Sequence, residues 1–140
     1  MSVARYYHSV SVLLPDGRVL SLGSVSPGGQ HHDHGNMSRA LEVFSPPYLF
    51  RGPRPAFTDS PNEISYGVEF MVTTPDACRI KKVSLIRPSA PTHHTDTEQR
   101  YVELDFDRQG RCQLKITALG DSNLVPPGYY MLFITDDSNI

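Results

Sequence analysis

"VEFMVTTPDACRIKKVSLIRP", residues 68–88, decides the fold class of this chain. Its two apolar runs, 68–74 and 80–88, are short and rich in Val, Ile, Thr and Phe. Those side chains suit a pleated, half-buried surface. Thr74, Pro75 and Asp76 carry turn chemistry between them. Helical periodicity is nearly absent along the whole chain, so the two runs read as strands joined by a turn.

The pattern continues downstream. "RYVELDF" (100–106), "CQLKITA" (112–118) and "YYMLFIT" (129–135) are further strand-like runs. Turn signals at Asp107–Gly110 and in "VPPG" (125–128) separate them. Regularly spaced short strands with turns predict a β-sandwich over residues 53–140. The last run is followed by turn-like residues 136–139, so the sandwich is expected to lack the final strand that covers its edge.

Residues 1–52 read differently. "YHSVSVLL" (7–14) alternates, "PDGR" (15–18) places Asp16-Gly17 as a hairpin turn, and "VLSLGS" (19–24) returns. A further strand in "ALEVFSPPYLF" (40–50) ends at Pro46-Pro47. These resemble strands borrowed from another β unit, because a lone hairpin is marginal in water. Val10, Val12, Leu14, Val19, Leu20, Leu22, Val43 and Phe44 need another surface. They are expected to pack on the sandwich, self-associate or stay partly disordered.

Composition narrows the functional classes. The 140 residues carry a net charge of −2 without a Lys/Arg run, which points away from nucleic acid. Apolar runs are too short to span a bilayer, and residues 1–15 lack the pattern of a secretory signal. Cys78 and Cys112 permit one bridge or two free thiols. Ser-His-Asp order, a phosphate-binding glycine loop and HExxH are all absent.

Three places can carry chemistry. Tyr7 and His8 stand at a strand start, and His93 and His94 stand side by side in "PTHHTDTEQR" (91–100). Imidazoles and a phenolate suit a tetragonal Cu(II) site, although on spacing alone two histidines are a weak signal and ordinary surface residues are the commoner case. "GGQHHDHGN" (28–36) places His31, His32, Asp33 and His34 together, either as a solvated loop or as a weak Zn or Ni site. Asp96 and Glu98 could orient an imidazole, and Thr97–Arg100 read as a structural turn. Arg5 reads as a surface charge.

Four segments in order, "YHSVSVLLPDGRV", "VFSPPYLF", "SLIRPSAPTHHTDTEQR" and "PPGYYMLFITD", resemble the C-terminal part of the copper radical oxidases, the galactose oxidase and glyoxal oxidase family. The resemblance implies an all-β chain in two parts: terminal strands of a Kelch-type propeller over 1–52, then an Ig-like early set sandwich over 53–140. It implies copper as cofactor. Tyr7 matches the axial tyrosine, which accepts the substrate hydroxyl proton, and His8 and His93 match the two histidine ligands. His94 and Tyr6 match no ligand.

The family also uses a tyrosine joined to a cysteine by a thioether as its radical. Both lie in earlier propeller blades, and Cys78 and Cys112 match neither, so this chain is expected to lack the radical cofactor. The reaction implied is oxidation of a primary alcohol or small aldehyde with dioxygen reduced to hydrogen peroxide. "FSPPYLF" and "IRPSAPTHH" lean towards the glyoxal oxidase branch. The complete enzyme is expected to be secreted and the chain alone inactive. The competing reading is a non-catalytic Ig-like structural or interaction module.

Overall fold

The computed structural model describes residues 3–25 and 39–137. The His31–His34 loop lies outside the described residues. The chain divides into two compact units, Met1–Pro47 with Pro88–Gln99, and Tyr48–Arg87 with Arg100–Ile140.

The second unit holds the sandwich. Its strands are β4 (Glu69–Thr73), β5 (Lys82–Ile86), β8 (Tyr101–Leu104), β9 (Phe106–Gln109), β10 (Gln113–Thr117) and β11 (Met131–Thr135). They form two antiparallel sheets, β4-β10-β9 and β11-β5-β8. Burial alternates along β4, β8 and β10, as expected of strands with one wet face. Phe70, Val72, Leu114 and Ile116 from the first sheet join Val83, Val102, Leu104 and Ile134 from the second in one core.

Two readings of the sequence change here. "RYVELDF" is not one strand. The chain turns a corner at Asp105, so β8 pairs with β5 and β9 pairs with β10. Asp107–Gly110 is not the turn either. Phe106 pairs with Ile116 and Arg108 with Leu114, and the turn falls at residues 110–112, where Gly110 has φ +66°. Arg108 also donates to the Ala77 carbonyl at 3.0 Å and the Ile80 carbonyl at 2.5 Å. Ladder pairing and these bonds outweigh the local turn preference of Asp-Arg-Gln-Gly.

The first unit contains β1 (Tyr7–Leu13), β2 (Val19–Val25) and β3 (Glu42–Phe44), an antiparallel meander in the order β1-β2-β3. Asp16-Gly17 makes the expected hairpin turn, with Gly17 at φ +81° and the Leu14 amide donating to the Arg18 carbonyl at 2.8 Å. The loop expected around His93 is itself a hairpin, β6 (Pro91–Thr92) and β7 (Thr95–Asp96), and β6 lies against β1.

The two units are stabilised differently. Among the described residues, the first buries no Val, Leu, Ile, Met or aromatic side chain fully. Val10, Val12, Leu14, Val19, Leu20 and Leu22 are half-buried, and Val43 and Phe44 are exposed. Its buried groups include Ser21, Ser24 and the Arg5 side chain. Cys78 and Cys112 are exposed free thiols, so the bridge permitted by the sequence does not form.

Leu114 is fully buried at the centre of the sandwich. Leu114→Ala is expected to destabilise that unit by about 2–5 kcal/mol, the cost of lost transfer energy plus a cavity. Chemical denaturation followed by fluorescence or circular dichroism checks it.

Candidate metal centre

All three histidines in the described residues have positive φ: His8 at 61°, His93 at 48° and His94 at 65°. Left-handed backbone costs a side-chain-bearing residue about 1–2 kcal/mol. Such outliers concentrate at functional sites. Each has a local cause.

At His8 the cause is a turn within the strand. The Ser9 amide donates to the Tyr6 carbonyl at 3.3 Å, closing a four-residue turn with Tyr7 and His8 in its middle. A positive φ at the third residue is what type II turns require. In a regular strand Tyr7 and His8 would point to opposite faces. Instead their rings stack, with centroids 3.9 Å apart and planes 28° from parallel. The turn therefore puts a phenol and an imidazole together. Alternation in "YHSVSVLL" concealed it, because no glycine marks the position.

At His93-His94 the cause is the hairpin tip. Pro91 pairs with Asp96 and Thr92 with Thr95, which leaves the two histidines as a two-residue loop. Positive φ at both loop residues is the pattern of type I′ turns, whose twist matches the flanking strands. Histidine enters this region more readily than most residues. His94 thus has a structural role, where the sequence suggested only a residue next to a ligand. The Thr92 hydroxyl and the His93 Nδ1 are hydrogen-bonded at 2.8 Å. That bond engages Nδ1 and leaves Nε2 as the ring nitrogen for a metal.

The carboxylate expected to orient an imidazole does something else. One Asp96 carboxylate oxygen accepts from the Ala90 amide at 3.0 Å and the Glu98 amide at 3.1 Å. Those bonds, the Ala90 one foremost, hold the Asp96 carboxyl below its ordinary range, against a smaller opposing effect of burial. Thr97 donates to the Ala90 carbonyl at 3.2 Å, and Arg100 donates to the Leu124 carbonyl at 2.6 Å. The structural reading of Thr97–Arg100 holds.

Arg5 is not a surface charge. Its side chain is 6 % exposed and paired with Glu42 at 3.1 Å. It also donates to the carbonyls of Gly23 at 2.8 Å and Ala40 at 3.0 Å. Sequence reading missed this because Glu42 lies 37 residues away and nothing local announces it.

The donor chemistry fits copper: two imidazoles and a phenol are a nitrogen and oxygen set suited to tetragonal Cu(II). Among the described residues no three His, Cys, Asp or Glu side chains gather into a metal site. The expected set has only two such side chains, with a phenol as its third donor. Tyr7, His8 and His93 all belong to the first compact unit.

Residues 54–140 match the family described as "Galactose oxidase-like, Early set domain", and the chain belongs to that family. Galactose oxidase of Gibberella zeae is 33 % identical over 145 residues, covering 99 % of this chain and 20 % of that protein. Aldehyde oxidase GLOX of Vitis pseudoreticulata is 33 % identical over 148 residues, covering 94 % of this chain and 28 % of its own length. Among solved structures, a fungal alcohol oxidase of the AA5 family in complex with copper superposes with a TM-score of 0.83. It is 29 % identical and covers 99 % of this chain and 30 % of its own. The chain spans less than a third of the length of any of these relatives.

Two outcomes test the local geometry. Because the folded Asp96 carboxyl titrates low, its stabilising effect is full above the ordinary value of 3.8 and is lost as pH falls through the folded value. Acidification from pH 7 to pH 3 is expected to lower the protection of the Ala90 and Glu98 amides relative to their intrinsic exchange rates, and Asp96→Asn is expected to remove that pH-dependent loss. Gly23, at φ +73°, faces the His8 carbonyl so closely that an added Cβ would sit 2.5 Å from its oxygen. Gly23→Ala is expected to destabilise the meander by at least about 1 kcal/mol. Amide NMR should show its largest shifts at His8 and Ser9 and little change in the sandwich.

Proposed function

We propose that this chain is the C-terminal portion of a copper radical oxidase. In this reading Tyr7, His8 and His93 are copper ligands and residues 1–52 are the closing strands of a Kelch-type propeller. The carrying observation is the pair of left-handed turns: one stacks Tyr7 on His8, the other sets His93 at a hairpin tip. Membership of the galactose oxidase-like family supports it. So does the likeness over nearly the whole chain to an alcohol oxidase in complex with copper.

The substrate class is a primary alcohol or small aldehyde, with dioxygen reduced to hydrogen peroxide. Copper, when bound, supplies one-electron redox chemistry. The residues here would provide two imidazole donors and a phenol. Tyr7 is the group that accepts the substrate hydroxyl proton. Its ring rests on His8, which restricts the directions its oxygen can face.

Alcohol oxidation removes two electrons, and a single copper ion accepts one. The second acceptor in the family is a tyrosine cross-linked to a cysteine, and in this reading Cys78 and Cys112 do not supply it. The 140 residues alone are therefore proposed to be inactive as an oxidase. Half-buried and exposed apolar side chains on β1–β3 fit strands that neighbouring blades, or a second copy of the chain, would cover.

Cu(II) titration followed by EPR tests this reading. His31, His32 and His34 are replaced by Ala throughout, because that loop could bind copper by itself. One tetragonal Cu(II) signal is expected, weakened or lost in His93→Ala. No copper binding in that background would overturn the metal reading and favour an Ig-like interaction module. Peroxide release from a primary alcohol by the copper-loaded chain would overturn the proposed inactivity.

A further inference from the structure

We propose that Arg5, with Glu42, Ser24 and Ser9, forms a polar clamp that positions Tyr7 and His8 by holding the left-handed turn between them. Its functional meaning rests on the reading of those two residues as copper ligands; its geometry does not.

Arg5 is the least expected buried group in the molecule. Its side chain is 6 % exposed within a unit that buries no large apolar side chain among the described residues. Taking a guanidinium out of water is costly unless its donors are matched. Here the planar fork reaches four acceptors: the carbonyls of Gly23 (2.8 Å), Ala40 (3.0 Å) and Ser21 (3.4 Å) and the Glu42 carboxylate (3.1 Å). The Arg5 Nε is buried without a partner. A buried donor left unmatched is a local cost, and such costs persist where another requirement fixes the group.

That requirement is the backbone around His8. Ser21 and Gly23 lie on β2 opposite Ser11 and Ser9. Gly23 sits so close beneath the His8 carbonyl that its position dictates the path of the turn. Arg5 ties this part of β2 to the segment entering β3. The Tyr6 backbone, where the turn begins, is held at both ends: its amide donates to the Ser24 hydroxyl at 2.8 Å, and its carbonyl accepts from the Ser9 hydroxyl at 2.7 Å. The two hydroxyl bonds hold the Tyr6 peptide groups at the start of the turn, while the Arg5 bonds hold Ser21 and Gly23 of the neighbouring β2 and the segment entering β3. Arg5 is thus a positioning residue. Lysine cannot replace it, because a single ammonium lacks the rigid fork that reaches carbonyls on β2 and in the segment entering β3 at once.

The stacked rings give a readout that needs no metal. In the full 140-residue chain, the Tyr7 ring is expected to shift the His8 ring protons upfield in the proton NMR spectrum. His8→Asn assigns the signals, and Tyr7→Leu gives their unstacked position. Arg5→Lys is expected to move the His8 signals to that unstacked position while the Leu14 and Gly17 amides of the hairpin turn stay protected. His8 signals unchanged in Arg5→Lys would overturn the clamp. If Arg5→Lys instead loses the Leu14 and Gly17 protection, Ser24→Ala decides: displaced His8 signals support the clamp and unmoved ones overturn it. In a chain that binds Cu(II), Arg5→Lys is expected to weaken binding at least about tenfold, as loss of supporting bonds around a metal site does. Failure of the wild-type chain to bind copper defeats the metal reading and leaves the ring-proton test standing.

Discussion

Left-handed backbone at His8 is the constraint on which the first unit depends. It costs about 1–2 kcal/mol relative to a relaxed strand, and it converts an alternating strand into one that stacks neighbouring rings. The compensation comes from Ser9 and Ser24 holding the Tyr6 peptide groups and from a glycine at position 23, where any Cβ would collide with the His8 carbonyl. A strained position is sustained when its surroundings over-determine it, and here the surroundings are polar.

The same physics recurs at the second histidine with a different framework. A two-residue hairpin of type I′ needs positive φ at both loop positions to match strand twist. His93 and His94 meet that need without glycine, and Asp96 secures the hairpin by accepting the Ala90 and Glu98 amides. Both candidate histidine ligands therefore sit on turns closed by backbone hydrogen bonds. That closure suits a metal site, which demands donors held in place before the ion arrives. It also explains the contrast between the units. The sandwich is stabilised by a dry core in which Leu114, Ile116, Val72, Val83 and Ile80 are fully buried. The meander is held by Arg5–Glu42 and by hydroxyl–backbone bonds, which fix geometry well but bury little apolar area.

Much of the sandwich was legible in the sequence because its strands advertise themselves. β4, β5, β10 and β11 coincide with the β-branched and aromatic runs, and Asp16-Gly17 makes the turn its chemistry requires. Legibility failed where pairing overrode local preference. Asp105 breaks one apparent strand into two on different sheets, and Asp107–Gln109 are drawn into β9 by β10. It failed again for Arg5, whose burial depends on a carboxylate 37 residues away.

The sequence by itself determined the all-β class, the early set resemblance and the identity of Tyr7, His8 and His93 as the residues to watch. Residue type and order carry those facts, because side-chain chemistry is local. Tertiary structure alone decided how they are presented: Tyr7 stacked on His8, His93 on a hairpin tip, and Arg5 buried beneath β2. Positive φ and buried ion pairs are properties of the closed ladder and of long-range pairing. No periodicity in "YHSVSVLL" or "PTHHTD" encodes them.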